Sequence, residues 1–151
     1  MPKRPPELFL VDMLISIDRI NRNAATLSLN EFVSDENIFA ATMREFEIIG
    51  EAARNILRFP SIVKRSDIEW QKIVDFRNLI AHEYFGVIPS MVLEIIREDV
   101  PVLEKDLLSL IKNKRDKTQI IQAIDDTIEE LVQMNRQESV NCLKDIKDKS
   151  N

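Results

Sequence analysis

The sequence predicts an all-α protein, an up-and-down four-helix bundle with an additional C-terminal helix. Only two of the 151 residues are glycine and 6% are aromatic, whereas β-rich folds use many glycine turns and aromatic strands. Along most of the chain, apolar residues recur at the i, i+3, i+4, i+7 spacing of amphipathic helices. A chain of this length suits a single domain that buries most of its apolar surface.

The first two helices are predicted from their apolar stripes. Residues 2–6 are proline-rich and are interpreted as a leader. The apolar positions of the first helix are Leu10, Met13, Leu14, Ile17, Ile20 and Leu27. Residues 29–33 are interpreted as a connection, and Ser34 as the N-cap of a second helix that runs to about Arg58. Gly50 costs this helix up to about 1 kcal/mol relative to alanine, so we expect another helix to approach closely there.

The third helix is predicted from its end signals. Pro60 ends the second helix, and Ser66 with Glu69 predicts a capping box at the start of the third. Gly86 and Pro89 bound the third helix at its other end. Its inward-facing apolar residues are Ile68, Ile73, Phe76, Leu79 and Ile80.

The C-terminal half predicts two further helices. A fourth helix starts at Ser90 and contains Pro101, which we expect to kink it. The basic stretch 112–117 precedes a last amphipathic helix, whose apolar residues are Ile120, Ile121, Ile124, Ile128, Leu131 and Val132. We therefore expect a helical bundle over residues 1–113 and a C-terminal helical extension over residues 114–151. The extension should pack on the same domain or on a partner.

Composition excludes several classes of protein. The single cysteine, Cys142, cannot form an internal disulfide and fits a reducing cytoplasm. One cysteine and one histidine are too few for a zinc site. No apolar run reaches the roughly 20 residues of a membrane span, and no signal peptide opens the chain. We expect a cytoplasmic protein without a metal, a cofactor or a membrane association.

The charge distribution leaves the partner open. A net charge of −5 disfavours nucleic acid, because phosphate binding depends on lysine and arginine. The basic residues nevertheless form a local cluster of Arg54, Arg58, Lys64, Arg65, Lys72 and Arg77. A basic groove on an acidic body and a mixed solvated surface are both compatible with this pattern.

The stretch 77–84, Arg-Asn-Leu-Ile-Ala-His-Glu-Tyr, contains the single histidine and the single tyrosine of the chain. On a helix with about 100° per residue, Asn78 and His82 share a face, whereas Arg77 and His82 lie about 140° apart. One helix therefore cannot easily close both Arg77 and His82 onto one small site. Two copies facing each other across a symmetric interface can. Asn78 is either a polar helix residue or a partner that holds the imidazole in one tautomer.

Each of these residues also has a purely structural interpretation. His82 can cap a helix or fill a half-buried slot. Arg77 can form a salt bridge with Asp75 or Glu51, and Tyr84 can be a packing residue with a solvated hydroxyl.

Three elements in order resemble a known family. The run 44–53, Arg-Glu-Phe-Glu-Ile-Ile-Gly-Glu-Ala-Ala, is followed by Trp70 and then by the Arg-x4-His-x-Tyr pattern at 77–84. Over residues 6–113 the chain resembles the HEPN superfamily and, more narrowly, the HepT toxins, which are paired with MntA-type minimal nucleotidyltransferase antitoxins. The resemblance implies a homodimer. It also implies that Glu51 supports Arg77 or Arg44 rather than only facing solvent.

The resemblance further implies a metal-independent endoribonuclease with Arg77 and His82 as catalytic residues and Asn78 and Glu51 in support. RNA carries its own nucleophile, the 2′-hydroxyl. An imidazole can take the proton of this hydroxyl or protonate the leaving oxygen. Such general acid–base catalysis accelerates a reaction by about 10²–10⁴-fold. A guanidinium can stabilise the phosphorane oxygens.

Family resemblance also implies regulation. In a type VII toxin–antitoxin system the toxin is neutralised when a MntA-like nucleotidyltransferase transfers AMP to the motif tyrosine, here Tyr84. The alternative is a non-catalytic HEPN-like helical module that binds a nucleotidyltransferase partner or a nucleotide. The acidic net charge and the long amphipathic surface favour this alternative, whereas the intact Arg77, Asn78 and His82 favour the nuclease.

Overall fold

A computed structural model of the chain describes residues 4–82, 86–114 and 116–151. Within these ranges the regular structure consists of eight helices and no strand. They are α1 (Glu7–Ala24), α2 (Leu29–Ser34), α3 (Glu36–Ile56), α4 (Pro60–Val63), α5 (Trp70–His82), α6 (Pro89–Lys112), α7 (Thr118–Gln133) and α8 (Gln137–Lys149). The predicted all-α class is confirmed.

Helices α1, α3, α5 and α6 form the predicted bundle. Helix α1 lies between α3 and α6 and packs against both, and α3 also packs against α5. The apolar stripe of α1 is buried at the centre, where Leu10, Met13 and Ile17 have no exposed surface. Helix α5 packs on α3 and does not pack closely on α6, so a groove lies between α5 and α6.

Helix α2 occupies residues for which the sequence predicted a connection, and that prediction is wrong. A capping box starts α2: the Ser28 hydroxyl accepts from the Glu31 backbone N–H at 3.2 Å, and the Glu31 carboxylate accepts from the Ser28 N–H at 3.0 Å. Phe32 is completely buried and anchors this short helix to the core.

Two other helix starts differ from the prediction. Asp35, not Ser34, caps α3, and its carboxylate accepts from two backbone N–H groups of the first turn. Helix α5 begins at Trp70 rather than after Ser66. The Ser66 hydroxyl accepts from the Trp70 indole N–H at 3.0 Å, so it anchors a buried aromatic ring instead of forming the predicted capping box with Glu69.

The C-terminal extension is helical, as predicted, and contains two helices. Asn135 has a φ of 57°, a left-handed conformation that asparagine tolerates, and it separates α7 from α8. The two helices pack as an antiparallel pair in which Lys147 Nζ lies 2.7 Å from Asp125 Oδ1. Helix α8 also packs on α1, where Arg19 Nη2 donates to Ser139 Oγ at 3.2 Å. Among the described residues, no helix is long and apolar enough to cross a membrane.

Candidate active site

Arg77 lies at the closest approach of α5 to α3. A Cβ atom added to Gly50 would lie 2.1 Å from Arg77 Cβ and 2.5 Å from Arg77 Cγ. These separations are far inside van der Waals contact, so only glycine allows the two helices to approach this closely. The close approach expected from Gly50 is therefore present, and the helix that makes it is the one that carries Arg77.

The guanidinium of Arg77 is held by its own helix and by α3. Its Nη1 donates to Asn78 Oδ1 at 3.2 Å, and its Nη2 lies 3.9 Å from Glu51 Oε2. Asp75, the other predicted partner, instead accepts a hydrogen bond from Gln71. Within the described residues Arg77 Nε is buried without a hydrogen-bond partner. Buried donors are normally satisfied, so Nε is an exception. Nη1 and Nη2 each carry a second N–H, which can donate to a bound oxyanion.

A polar surface pocket of about 330 Å³ opens next to Arg77. Its other lining residues include Phe9, Asp12, Arg44, Glu47, Glu51 and Asn55. Its three carboxylates each have an arginine partner: Glu47 has Arg44 at 3.3 Å, Asp12 has Arg4 at 2.6 Å, and Glu51 has Arg77 at 3.9 Å. The pocket therefore brings Arg77, Glu51 and Arg44 together from α5 and α3.

His82 lies apart from this pocket. Its side chain is exposed, five residues beyond Arg77 on α5, which is about 7.5 Å along the axis and about 140° around it. Asn78 shares the His82 face, but its amide oxygen accepts from Arg77. A single chain thus does not bring the imidazole and the guanidinium together. Tyr84, the predicted modification site, lies outside the described residues.

Several residues beside Arg77 were not predicted from the sequence. Glu47 and Asn55 flank the predicted Glu51 at i, i+4 spacing along α3, and that spacing could have placed them on its face. Asp12 reaches the pocket from α1. No sequence pattern signals that contact, because it depends on how α1 packs against α3.

Comparison with known proteins identifies the family. The family model described as "Ribonuclease HepT-like" matches residues 13–110, within the range that the sequence resemblance covers. No solved structure matches the chain.

Relatives named as ribonucleases agree with this match. A protein of Methanocaldococcus jannaschii with the name "Putative RNase" is 34% identical over 112 residues, which cover 71% of this chain and 97% of the relative. A relative with the same kind of name from Caldanaerobacter subterraneus subsp. tengcongensis is 30% identical over 74% of this chain and 99% of its own. The "Probable ribonuclease HepT" of Thermococcus cleftensis is 32% identical over 68% of this chain and 92% of its own. The chain therefore belongs to the HepT-like ribonuclease family.

Proposed function

We propose that this protein is a metal-independent endoribonuclease whose active site forms between two copies of the chain. Membership of the HepT-like family and the ribonuclease names of its relatives support RNA as the substrate. The observation that carries the dimeric site is the separation of Arg77 from the exposed His82 on one helix. If the Arg77 guanidinium and the His82 imidazole act on one phosphodiester, one of them must come from the α5 of a second copy of the chain.

In the proposed reaction the 2′-oxygen attacks the adjacent phosphorus and the bond from phosphorus to the 5′-oxygen breaks. One His82 imidazole takes the proton of the 2′-hydroxyl, and the His82 of the other copy protonates the departing 5′-oxygen. Arg77 stabilises the negative charge on the phosphorane oxygens through its remaining donors. The products are a 2′,3′-cyclic phosphate and a 5′-hydroxyl.

Glu51 and Asn78 are the proposed supporting residues. Asn78 accepts from Arg77 at 3.2 Å, and the Glu51 carboxylate lies 3.9 Å from the same guanidinium. The Glu51 side chain is 52% exposed, so its interaction with Arg77 contributes little to stability. Its proposed role is to orient the guanidinium of Arg77 toward the bound phosphodiester.

We also propose that the protein acts as a toxin that a MntA-like nucleotidyltransferase neutralises. The Tyr84 hydroxyl would attack the α-phosphorus of ATP, form a Tyr–O–AMP phosphodiester and release pyrophosphate. The added nucleotide places bulk and negative charge two residues from His82, where the phosphates of RNA must bind. Mass spectrometry of the chain after incubation with such a partner and ATP tests this step, with Tyr84→Phe as the control.

Cleavage of a labelled single-stranded RNA by the purified protein, in buffer with EDTA, tests the nuclease. We expect wild-type protein to produce 2′,3′-cyclic phosphate ends and His82→Ala to lose roughly 10²-fold or more of the rate. Gln71→Ala is the matched control, because Gln71 is an exposed residue of the same helix. Its rate should equal that of wild type. If His82→Ala, folded by circular dichroism, cleaves as wild type does, His82 is not the catalytic residue. If wild-type protein does not cleave RNA, the alternative of a non-catalytic helical module is favoured.

A further inference from the structure

The groove between α5 and α6 has an apolar floor. It encloses about 540 Å³. Its apolar lining includes Ile68, Ile73, Phe76, Ile95, Val100 and Leu103. Val102 lies at the groove with 60% of its surface exposed. The lining spans residues 95–106 of α6, which is roughly 16 Å of helix, or about three turns.

Carboxylates surround this floor. Asp67 and Glu69 line it from the segment that precedes α5, and Asp99 and Asp106 line it from α6. Lys72 is the one basic residue among the described residues of the lining, and its ammonium already pairs with Glu69 at 3.0 Å. In the part of the chain that the structure describes, Asp67, Asp99 and Asp106 form no salt bridge. The groove is therefore apolar at its floor and negatively charged at its rim.

We propose that this groove binds a basic amphipathic helix of another protein. An apolar floor about three turns long accepts the apolar face of a helix, with positions i, i+3, i+4 and i+7 as anchors. Lysine or arginine residues flanking that face would meet Asp67, Asp99 and Asp106 and determine the orientation of the helix.

The charges of the rim disfavour two other occupants. RNA phosphates would be repelled by the carboxylates. A second copy of the chain, bound groove to groove about a two-fold axis, would place the same acidic rim against itself. The groove also uses the Phe76 and Ile73 face of α5, whereas Asn78 and His82 lie on another face. Occupation of the groove thus leaves His82 accessible.

A synthetic peptide probe tests the proposal on the full chain. The probe is a fluorescein-labelled amphipathic helix of four turns with leucine on one face and lysine on the others. Its partner probe has glutamate in place of every lysine. We expect the lysine peptide to bind wild-type protein with an affinity that falls as salt rises, and the glutamate peptide not to bind. Equal binding of the two peptides, or no binding of the lysine peptide, overturns the proposal.

Two variants locate the binding. Asp99→Asn with Asp106→Asn should weaken binding of the lysine peptide at least tenfold, and Val102→Lys should do the same by charge repulsion. Glu129→Gln with Glu130→Gln, two exposed carboxylates of α7, is the matched control and should bind as wild type does. Circular dichroism verifies that each variant is folded. Unchanged affinity in the folded groove variants contradicts the proposal.

Two further measurements identify a different occupant. If Val102→Lys converts a dimer to a monomer in sedimentation velocity, a second copy covers the groove. If single-stranded RNA alone shifts the amide NMR signals of Val102 and Leu103, the groove binds RNA. Either result would replace the proposed protein partner.

Discussion

Gly50 and Arg77 are in direct contact: the position that a Gly50 Cβ would occupy lies 2.1 Å from Arg77 Cβ. The contact couples the packing of α3 on α5 to the position of the guanidinium. The residue after Gly50 is Glu51, whose carboxylate faces the same arginine. Because Gly50 has no side chain, α5 approaches α3 closely enough for Arg77 to lie near Glu51.

Gly50→Ala should therefore destabilise the fold and displace Arg77. Alanine gains up to about 1 kcal/mol in helix propensity, but overpacking against Arg77 Cβ costs about 1–3 kcal/mol. We expect a net loss of about 1–2 kcal/mol in the free energy of unfolding by urea, and a loss of RNA cleavage of roughly tenfold or more.

Ala41→Gly, at an exposed position of α3, measures the propensity effect by itself. It should lower stability by about 1 kcal/mol or less and leave cleavage unchanged. A Gly50→Ala variant that is more stable than wild type would mean that α5 is not held against α3 at this point.

Glu51→Gln tests the support of Arg77. The pair is long, at 3.9 Å, and Glu51 is half exposed, so the free energy of unfolding should change by about 1 kcal/mol or less. Cleavage should fall by roughly tenfold in kcat, because the guanidinium loses its charged partner and its orientation. Glu47→Gln is the control, since Glu47 pairs with Arg44 at 3.3 Å in the same pocket. Equal losses in the two variants would assign the effect to the overall charge of the pocket.

Cys142 should react slowly in the folded protein. Burial raises the pKa of its thiol from 9.0 to about 12, and only the thiolate reacts with alkylating agents. Labelling by iodoacetamide at pH 8 should be roughly a hundredfold or more slower than in urea. A folded chain that is labelled as fast as the unfolded one would disprove this burial.

The same pKa shift predicts the direction of a pH effect on stability. The unfolded chain loses the thiol proton at a lower pH than the folded chain. The contribution of the buried thiol to the free energy of unfolding is therefore complete below pH 9. This contribution falls as the pH rises toward about 12. The free energy of unfolding of Cys142→Ala should therefore fall less between pH 9 and about pH 12 than that of wild type. Urea unfolding at several pH values measures this difference.

In α5 few residues are buried, and the predicted inward residues Ile73 and Phe76 line the open groove instead. Helical periodicity was enough to predict the other three bundle helices, because each buries a long apolar stripe. It missed α2, whose six residues are too few to display a period. The local capping signal of Ser28 and Glu31 was the available evidence for that helix. It also did not place the turn at Asn135, where a left-handed residue divides the extension into two helices.

For the candidate site, sequence reasoning reached Arg77, Asn78, Glu51 and His82 through a family resemblance. It left Asp75 and Glu51 as alternative partners of Arg77, since both are within reach of a flexible arginine. The structure places Glu51 there because the close approach at Gly50 brings the neighbouring residue into range. Asp12 of α1 could not be assigned to the pocket from the sequence, because its place there depends on how the helices of the bundle pack.

The most direct test of the two-chain site is cleavage by mixed dimers. Wild-type protein and His82→Ala are unfolded together, refolded in varied proportions and assayed for RNA cleavage at constant total protein. If each site needs both imidazoles, only the pure wild-type dimer cleaves. Activity then follows the square of the wild-type fraction, so that an equal mixture retains about one quarter. Activity proportional to the wild-type fraction, about one half in an equal mixture, would contradict a site that uses the imidazoles of both chains.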